Sequence, residues 1–398
     1  MRLVRRALTL ATIALLAACA KTVQVPTAPP PSATPPQSTH LPPVVVTPPP
    51  PPPNARVAGI RLVAPPAILD DTSAARALAA FRTSCPVLVL RTDQSQLSVG
   101  PDWAQVCADA ATVLPGGAGA FFRDRFDWVQ VADGKAFATG YYEPTIQGSR
   151  VPLPGYAPIY GVPADLVRCT RPDGTTARGR VDPATGICGP YFSRAQIDDG
   201  ALANRGAEIA WAADPLELFF VEIQGSARVL FPDGTSVRIG YADQNGLPYT
   251  AIGKLLRDRG VLPPGGASMQ AIKDWIHANP DQGHDLMREN QSYIFFRALN
   301  GSGPLGSMGV PVTPHGTVAA DPKFVPMGAP VFLTMDRPEP NGLWVAQDVG
   351  GAIKGSNRFD TFWGDGADAE TLAGGMAAKG QAFVLLPKGV AARALAQP

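Results

Sequence analysis

Short apolar runs separated by glycine and proline fill the C-terminal part of the chain, between residues 309 and 387. This spacing is typical of a β-barrel and differs from the strand and helix alternation of parallel α/β folds. Further strands are predicted upstream, where β-branched and aromatic residues cluster between turn signals. They cover residues 136–143, 218–223, 228–231, 236–241 and 293–297, and the turn Pro232-Asp233-Gly234 separates the third from the fourth.

Helical patterns are shorter and fewer. Apolar spacing and alanine content predict helices over residues 74–81, 104–114, 251–259, 269–277 and 285–289. Ser193 and Gln196 match a capping box, which predicts the start of one more short helix. The sequence therefore predicts a fold that is mostly β with some helix.

The N-terminal residues form a processing signal. Three arginines lie among the first six residues, residues 7–18 are an apolar run too short to span a bilayer, and Leu16-Ala17-Ala18-Cys19 ends it. This pattern is similar to a bacterial lipobox and predicts a signal peptide over residues 1–18 and acylation of Cys19. Ala20 is not an inner-membrane retention aspartate, so we expect a lipid anchor in the outer membrane, on its periplasmic face. An ordinary secretory signal is the alternative.

Proline dominates the segment that follows. Residues 26–53 contain mostly proline, threonine, serine and valine and end in six consecutive prolines. Such a sequence favours extended polyproline II, at about 3.1 Å per residue, and would make a semi-rigid spacer on the order of 90 Å long. We assign residues 19–56 as a tether between the lipidated cysteine and the folded protein. A disordered leader of no required length is the alternative.

Composition bears on the size of the fold and on which ligands are expected. With 45% hydrophobic and 17% charged residues, the 398-residue chain is long enough for two globular domains, and its net charge of +1 gives no reason to expect a nucleic-acid partner. The sequence has no Cys-x-x-Cys spacing and its histidines are scattered, so we expect no metal site and no cofactor.

Export makes the remaining cysteines candidates for disulfides. Cys85, Cys107, Cys169 and Cys188 form an even set in an oxidising compartment, and three pairings of the four are possible. We favour Cys85 with Cys107 and Cys169 with Cys188, because the members of each pair are close in the chain.

Two carboxylates bracket a glycine-rich stretch near the C-terminus. Asp348 begins this stretch, and Asp360 follows it among three aromatic residues, Phe359, Phe362 and Trp363. Desolvation by aromatic neighbours raises the pKa of a carboxyl group, and a second carboxylate nearby raises it further. Asp360 is therefore predicted to be a general acid. The side chains of Lys354 and Arg358 would lower the pKa of Asp360 if they faced its carboxyl group. The direction of its net pKa shift therefore stays open.

Several ordered motifs resemble one family. The barrel-like region contains Asp321-Pro322-Lys323, Val325-Pro326-Met327-Gly328, Asp348-Val349-Gly350-Gly351-Ala352-Ile353-Lys354-Gly355 and Asp360. The upstream motifs are Thr139-Gly140-Tyr141-Tyr142-Glu143-Pro144, Val221-Glu222-Ile223-Gln224-Gly225-Ser226, Tyr249-Thr250-Ala251-Ile252-Gly253-Lys254 and Ser268-Met269-Gln270-Ala271-Ile272. In this order they resemble the membrane-bound lytic murein transglycosylase A family. The proline-rich tether, the four cysteines and the loop over residues 171–188 depart from the family pattern.

The resemblance implies a fold and a reaction. The fold is a double-psi β-barrel that carries the three-aspartate motif, with a second, smaller β domain inserted and a groove between them. The barrel, with a helical N-terminal region, would cover residues 57–144 and 300–398, and the insert residues 145–299. The activity is cleavage of the β-1,4 bond between N-acetylmuramic acid and N-acetylglucosamine in peptidoglycan, leaving 1,6-anhydromuramic acid. Expected partners are the glycan strands, the outer membrane through the anchor, and other cell-wall enzymes.

The resemblance also assigns roles to residues. Asp360 falls on the position of the single catalytic acid and base. From the residues themselves, Asp348 is expected to support it by holding the glycine turn or tuning its pKa, and Asp321, which precedes Pro322, to hold a turn. The expected substrate-binding residues are Tyr141, Tyr142, Gln224, Gly225, Ser226 and Trp363, with Lys254 a weaker candidate. Two alternatives stay open: a hydrolytic muramidase that uses both carboxylates, and a peptidoglycan-binding lipoprotein without activity.

Overall fold

A computed structural model describes residues 50–301 and 303–396. The predicted signal peptide, the lipidation site Cys19 and most of the predicted tether lie outside these residues. The first helix begins at Ala55, slightly before the predicted start of the fold at residue 57, and the Asn54 side chain caps it by accepting a hydrogen bond from the Val57 amide. In the described part of the chain, no helix combines the length and the apolar character that crossing a membrane requires.

Seventeen strands form the two large sheets and one small sheet of the described residues, and the fold class is confirmed as mostly β with helices. The strands are β1 (Ile60–Val63), β2 (Phe126–Val131), β3 (Lys135–Glu143), β4 (Thr145–Ser149), β5 (Ala157–Tyr160), β6 (Val167–Thr170), β7 (Thr176–Val181), β8 (Cys188–Gly189), β9 (Glu208–Ala212), β10 (Ser226–Leu230), β11 (Ser236–Gln244), β12 (Ile294–Leu299), β13 (Thr317–Ala320), β14 (Pro330–Met335), β15 (Gly342–Asp348), β16 (Arg358–Asp365) and β17 (Ala377–Pro387).

Eleven α-helical segments accompany the strands in the described residues. They are α1 (Ala55–Ala58), α2 (Asp71–Leu88), α3 (Ala104–Thr112), α4 (Ala118–Asp124), α5 (Arg194–Gln196), α6 (Pro215–Gln224), α7 (Ile252–Asp258), α8 (Met269–Ala278), α9 (Pro280–Arg288), α10 (Gly366–Gly374) and α11 (Val390–Ala396). The predicted capping box at Ser193 and Gln196 is present at the start of α5.

The larger sheet closes on itself. Its strands follow the order β1-β2-β17-β14-β15-β13-β16-β3, and β17 also pairs with β3. Six strands therefore form a closed ring, which leaves the ring without unpaired edges. Apolar side chains from inside the ring and from the helices that cover it form one continuous core.

The N-terminal helices pack on one side of this ring. Phe81 on α2 lies at the centre of an aromatic cluster with Phe121, Phe122 and Phe126, with ring centroids 5.8 to 6.3 Å from its own. A disulfide between Cys85 and Cys107 joins α2 to α3, which confirms the first predicted pair.

A second sheet begins where β3 ends. Its order is β12-β11-β10-β4-β9-β5, and it receives the chain just after Glu143 and returns it after Leu299. Arg238 on β11 ties both crossings together, because its side chain donates to Glu143 Oε1 at 2.8 Å and to the carbonyl of Gly301 at 2.9 Å. These crossings lie near the predicted insert boundaries, and the domain assignment itself stays a prediction.

The disulfide between Cys169 and Cys188 confirms the second predicted pair. It lies in a small three-stranded sheet, β6-β7-β8, which contains the loop that departs from the family pattern. Arg178 on β7 forms an ion pair with Asp243 on β11, so this small sheet is held against the six-stranded one.

The strand predicted over residues 218–223 is wrong, because this segment is the helix α6. Asp214 caps the helix by accepting from the Leu216 amide, Pro215 occupies the first turn, and Gly225 ends it with a φ of 83°. The segment is apolar on both sides of the helix, and such a short apolar run has the same pattern as a buried strand. The helix predicted over residues 285–289 is α9, which begins earlier, at Pro280.

Candidate active site

A cavity of about 600 Å³ lies between the two large sheets. One wall belongs to the closed ring and includes Tyr141, Asp348 and Asp360. The opposite wall belongs to the six-stranded sheet and to the end of helix α6. The two carboxylates that bracket the glycine-rich stretch therefore open into one space. The peptide between them, from Val349 to Lys354, lines the same wall.

Strand register places the two aspartates on either side of one residue. Ala319 on β13 pairs with Asp348 on β15 and with Asp360 on β16. With strands about 4.8 Å apart, their Cα atoms lie roughly 10 Å from each other across β13.

A β-bulge at Gln347 directs Asp348 into this arrangement. Val318 pairs with Ala346, but Ala319 pairs with Asp348, so Gln347 is the additional residue. The Gln347 side chain is fully buried, and its amide donates to the Ala80 carbonyl and the Ser84 hydroxyl on α2, both at 3.0 Å. Bulges of this kind are common next to active sites, where they re-aim a side chain.

Asp360 is enclosed by protein and retains a partly exposed surface toward the cavity. Burial raises its pKa to about 6; the hydrogen bond from Thr139 and the charge of Arg358 oppose this rise, and the charge of Asp348 adds to it. The Thr139 hydroxyl donates to Asp360 Oδ1 at 2.6 Å and accepts from Arg358 Nη2 at 2.9 Å. Arg358 thus faces Asp360 through Thr139, whereas Lys354 lines the cavity.

Asp348 is held more firmly. Its Oδ1 accepts from the amides of Ser307 and Val349, each at 2.9 Å, and its Oδ2 accepts from the Tyr141 hydroxyl at 3.2 Å. Burial raises its pKa to about 6 against these three hydrogen bonds, all of which favour the ionised form. Most of the acceptor capacity of this carboxylate is used within the protein.

Four of the six predicted substrate-binding residues line the cavity: Tyr141, Gln224, Gly225 and Ser226. Tyr141 is buried against Phe362, with ring centroids 5.0 Å apart. Gln224 lies at the end of α6, and its Oε1 accepts from the Tyr142 amide at 3.0 Å, which joins the helix to β3.

Tyr142 and Trp363 do not line the cavity. The Tyr142 hydroxyl donates to Glu370 on α10 at 2.9 Å, on the other face of β3. Trp363 packs inside the core against His315 and Trp344, with ring centroids 5.1 and 5.6 Å apart. Their side chains therefore contribute to packing.

Asp321 holds the turn of the glycine-rich stretch. Its Oδ2 accepts from the Gly355 amide at 2.8 Å, and its Oδ1 accepts from the Lys323 amide at 3.0 Å. Lys254 is exposed and forms an ion pair with Asp258 one turn along α7, outside the cavity lining.

Several residues of the site were not predicted. Tyr249, Arg297 and Ser307 line the cavity, and Arg194 forms a buried bidentate ion pair with Glu222 beneath it. Tyr249 does occur in one of the family-like motifs, which was the available signal. Among the described residues, no group of three His, Cys, Asp or Glu side chains is arranged to hold a metal ion.

Comparisons with known proteins agree with this architecture. Residues 137–297 match a family model described as the MltA specific insert domain, and residues 316–386 match the 3D domain. The membrane-bound lytic murein transglycosylase A of Vibrio cholerae is 31% identical over 253 residues, which are 61% of this chain and 62% of that protein.

Solved structures match over most of the chain. The membrane-bound lytic murein transglycosylase of Agrobacterium tumefaciens has a TM-score of 0.74 at 31% identity, covering 84% of this chain and 99% of that one. Escherichia coli MltA with bound chitohexaose has a TM-score of 0.63 at 26% identity, covering 82% and 93%. The matched domains, their order and the similarity in fold show that the chain belongs to the membrane-bound lytic murein transglycosylase A family.

Proposed function

We propose that this protein is a lytic transglycosylase that cleaves the β-1,4 bond between N-acetylmuramic acid and N-acetylglucosamine in peptidoglycan and leaves 1,6-anhydromuramic acid. The names of its relatives support this reaction, as does the structure of a relative with bound chitohexaose. The observation that carries the proposal is Asp360, a partly enclosed aspartate with a pKa raised to about 6 at the wall of a cavity large enough for a glycan.

Asp360 would act twice. In its neutral form it donates a proton to the glycosidic oxygen as the bond to C1 of the muramic acid breaks. The C6 hydroxyl of the same sugar then attacks C1 and returns its proton to the Asp360 carboxylate. The acid is restored, no water is consumed, and the anhydro ring is closed.

Asp348 would support Asp360 rather than share the chemistry. Its carboxylate oxygens accept three hydrogen bonds, from Ser307, Val349 and Tyr141, so little of the carboxylate is free to contact the substrate. Its negative charge raises the pKa of Asp360, which favours the neutral acid. A hydrolytic muramidase is the second candidate, because both carboxylates open into one cavity and hydrolysis uses a pair.

Mass spectrometry of digested peptidoglycan separates the candidates. We expect anhydro products from the wild type, none from Asp360→Asn, and normal products from Asp368→Asn, which alters an exposed aspartate on α10. Reducing ends from added water would indicate the muramidase. Full activity of Asp360→Asn would refute the assigned acid, and wall binding without products from the wild type would indicate a binding protein.

The relatives are named membrane-bound, and we propose that this chain is too, through a lipid on Cys19 that places it at the outer membrane facing the periplasm. Residues 19–56 would tether a barrel domain (residues 57–144 and 300–398) with the insert (residues 145–299), and other cell-wall enzymes are further proposed partners. Cys19→Ala should release the protein into the soluble fraction with its activity retained. Continued membrane binding of that variant would refute the lipid anchor.

A further inference from the structure

Among the residues that the structure describes, six charged side chains line the cavity, and four of them already have assigned contacts. Arg194 and Glu222 neutralise each other, and Asp348 and Asp360 form the reactive wall. Arg297 and Lys354 remain. Both are exposed cations, and neither has an acidic partner within the described part of the chain.

The two cations enter from different walls. Arg297 lies on β12, directly across from Gly240, which in turn pairs with Ser226 on β10. Residues directly opposite in antiparallel strands share a face of the sheet, so Arg297 shares the cavity face with Ser226. It lies on the outermost strand of this sheet, at the rim.

Lys354 comes from the glycine-rich stretch of the barrel, where the residues beside it are anchored. Ile353 is buried in an apolar cluster with Tyr141 and Phe362, and the Gly355 amide donates to Asp321 at 2.8 Å. The backbone of Lys354 is therefore held in place while its side chain is left exposed at the cavity wall.

Control of the catalytic acid does not account for these cations. The positive charge that acts on Asp360 is that of Arg358, and the groups that act on Asp348 are Val349, Ser307 and Tyr141. Two exposed, unpaired cations beside a glycan-sized cavity instead suit an anionic part of the ligand.

We propose that Arg297 and Lys354 bind the carboxylates carried on the O3 substituent of N-acetylmuramic acid. This inference rests on the proposed function. The sugar backbone of peptidoglycan is neutral, so its negative charge comes from that substituent: the lactyl carboxylate when the peptide stem is absent, and the stem carboxylates when the lactyl group is in amide linkage. The cavity would thus distinguish peptidoglycan from uncharged glycans such as chitin.

Binding measurements with three glycans test the proposal and separate its two sources of charge. The ligands are chitohexaose, glycan stripped of its stems and stem-bearing glycan, each titrated by calorimetry against the full chain carrying Asp360→Asn to prevent cleavage. Arg297→Gln, Lys354→Gln and the double variant are compared with Arg257→Gln and Lys388→Gln, exposed cations outside the cavity lining.

We expect the double variant to bind carboxylate-bearing glycan about three- to tenfold more weakly, because an exposed ion pair contributes little binding free energy. Binding of chitohexaose should change little, because it carries no charge for the cations to bind. Weaker binding of stem-bearing glycan by the double variant assigns the cations to the stem carboxylates. Weaker binding of stripped glycan alone assigns them to the lactyl carboxylate. Equal losses for all three ligands, or no loss, would overturn the proposal. Failure of the parent chain to bind any glycan would instead overturn the proposed substrate class, and this inference with it.

Discussion

The Thr139 hydroxyl lies 2.6 Å from Asp360 Oδ1 and donates to it. The two residues belong to neighbouring parallel strands, where Thr139 and Asp360 are direct register partners. Arg358 donates to the same hydroxyl oxygen, so a cation stabilises the ionised acid through a neutral bridge. The pKa of Asp360 therefore reflects burial, which raises it, and this bridge, which restrains the rise.

Replacing the Thr139 hydroxyl should shift the pKa of Asp360. In Thr139→Val, loss of the hydrogen bond to the charged form should raise the pKa of Asp360, by roughly one unit. The pH at which anhydro-product formation falls to half should move upward, while Thr139→Ser should keep the wild-type profile. A downward movement in the valine variant would show instead that Arg358 contacts the carboxylate directly once Thr139 is gone.

The pH dependence of the wild type has a defined sign. In the proposed reaction the neutral form of Asp360 donates the first proton, and its pKa is about 6, so initial rates should fall as the pH rises through about 6. In Asp348→Asn, removal of a negative charge should lower the pKa of Asp360 and move this fall to lower pH. Rates measured across the pH range on purified glycan check both statements. An unchanged midpoint in Asp348→Asn would contradict the electrostatic role of Asp348.

The same burial should cost stability. The folded state holds the proton of Asp360 up to a pH of about 6, whereas the unfolded state releases it near the usual value of 3.8, so stability falls as the pH rises between these values. Asp360→Asn should therefore be as stable as the wild type near pH 3.5 and more stable at neutral pH, by up to about 3 kcal/mol. Thermal unfolding at both pH values measures the difference. A variant that is less stable at neutral pH would argue against an enclosed, unfavourable charge.

The ion pair beneath the cavity should be structural. Arg194 and Glu222 are both buried, and the Arg194 side chain also donates to the carbonyls of Asn290 and Ser292. Glu222→Gln should destabilise the fold by about 3–5 kcal/mol, because it leaves a buried guanidinium without its counter-charge. Glu289→Gln, which breaks the exposed pair with Arg259, should cost less than about 1 kcal/mol. Similar unfolding midpoints for the two variants would contradict the structural role.

Features formed by residues close in the chain could be predicted from the sequence. The capping box at Ser193, the turn at Pro232-Asp233-Gly234 and both disulfides involve residues close in the chain, and the structure has each of them. The direction of the pKa shift of Asp360, which the sequence left open, is upward, because burial outweighs the opposing effects of Thr139 and Arg358. The helix α6 shows the limit of this approach, since its end signals at Asp214 and Gly225 were present and its apolar pattern was misread.

The sequence by itself determined the class of the fold and favoured the cysteine pairs that the structure contains, because these depend on composition and on short spacings. Tertiary structure alone decided which side chains face the cavity. Trp363 stands three residues after Asp360 and points into the core, while Thr139 and Arg297, each more than 60 residues away, reach the cavity or its acid. Strand pairing sets those directions, and a bulge at Gln347 sets the direction of Asp348; both depend on contacts between distant parts of the chain.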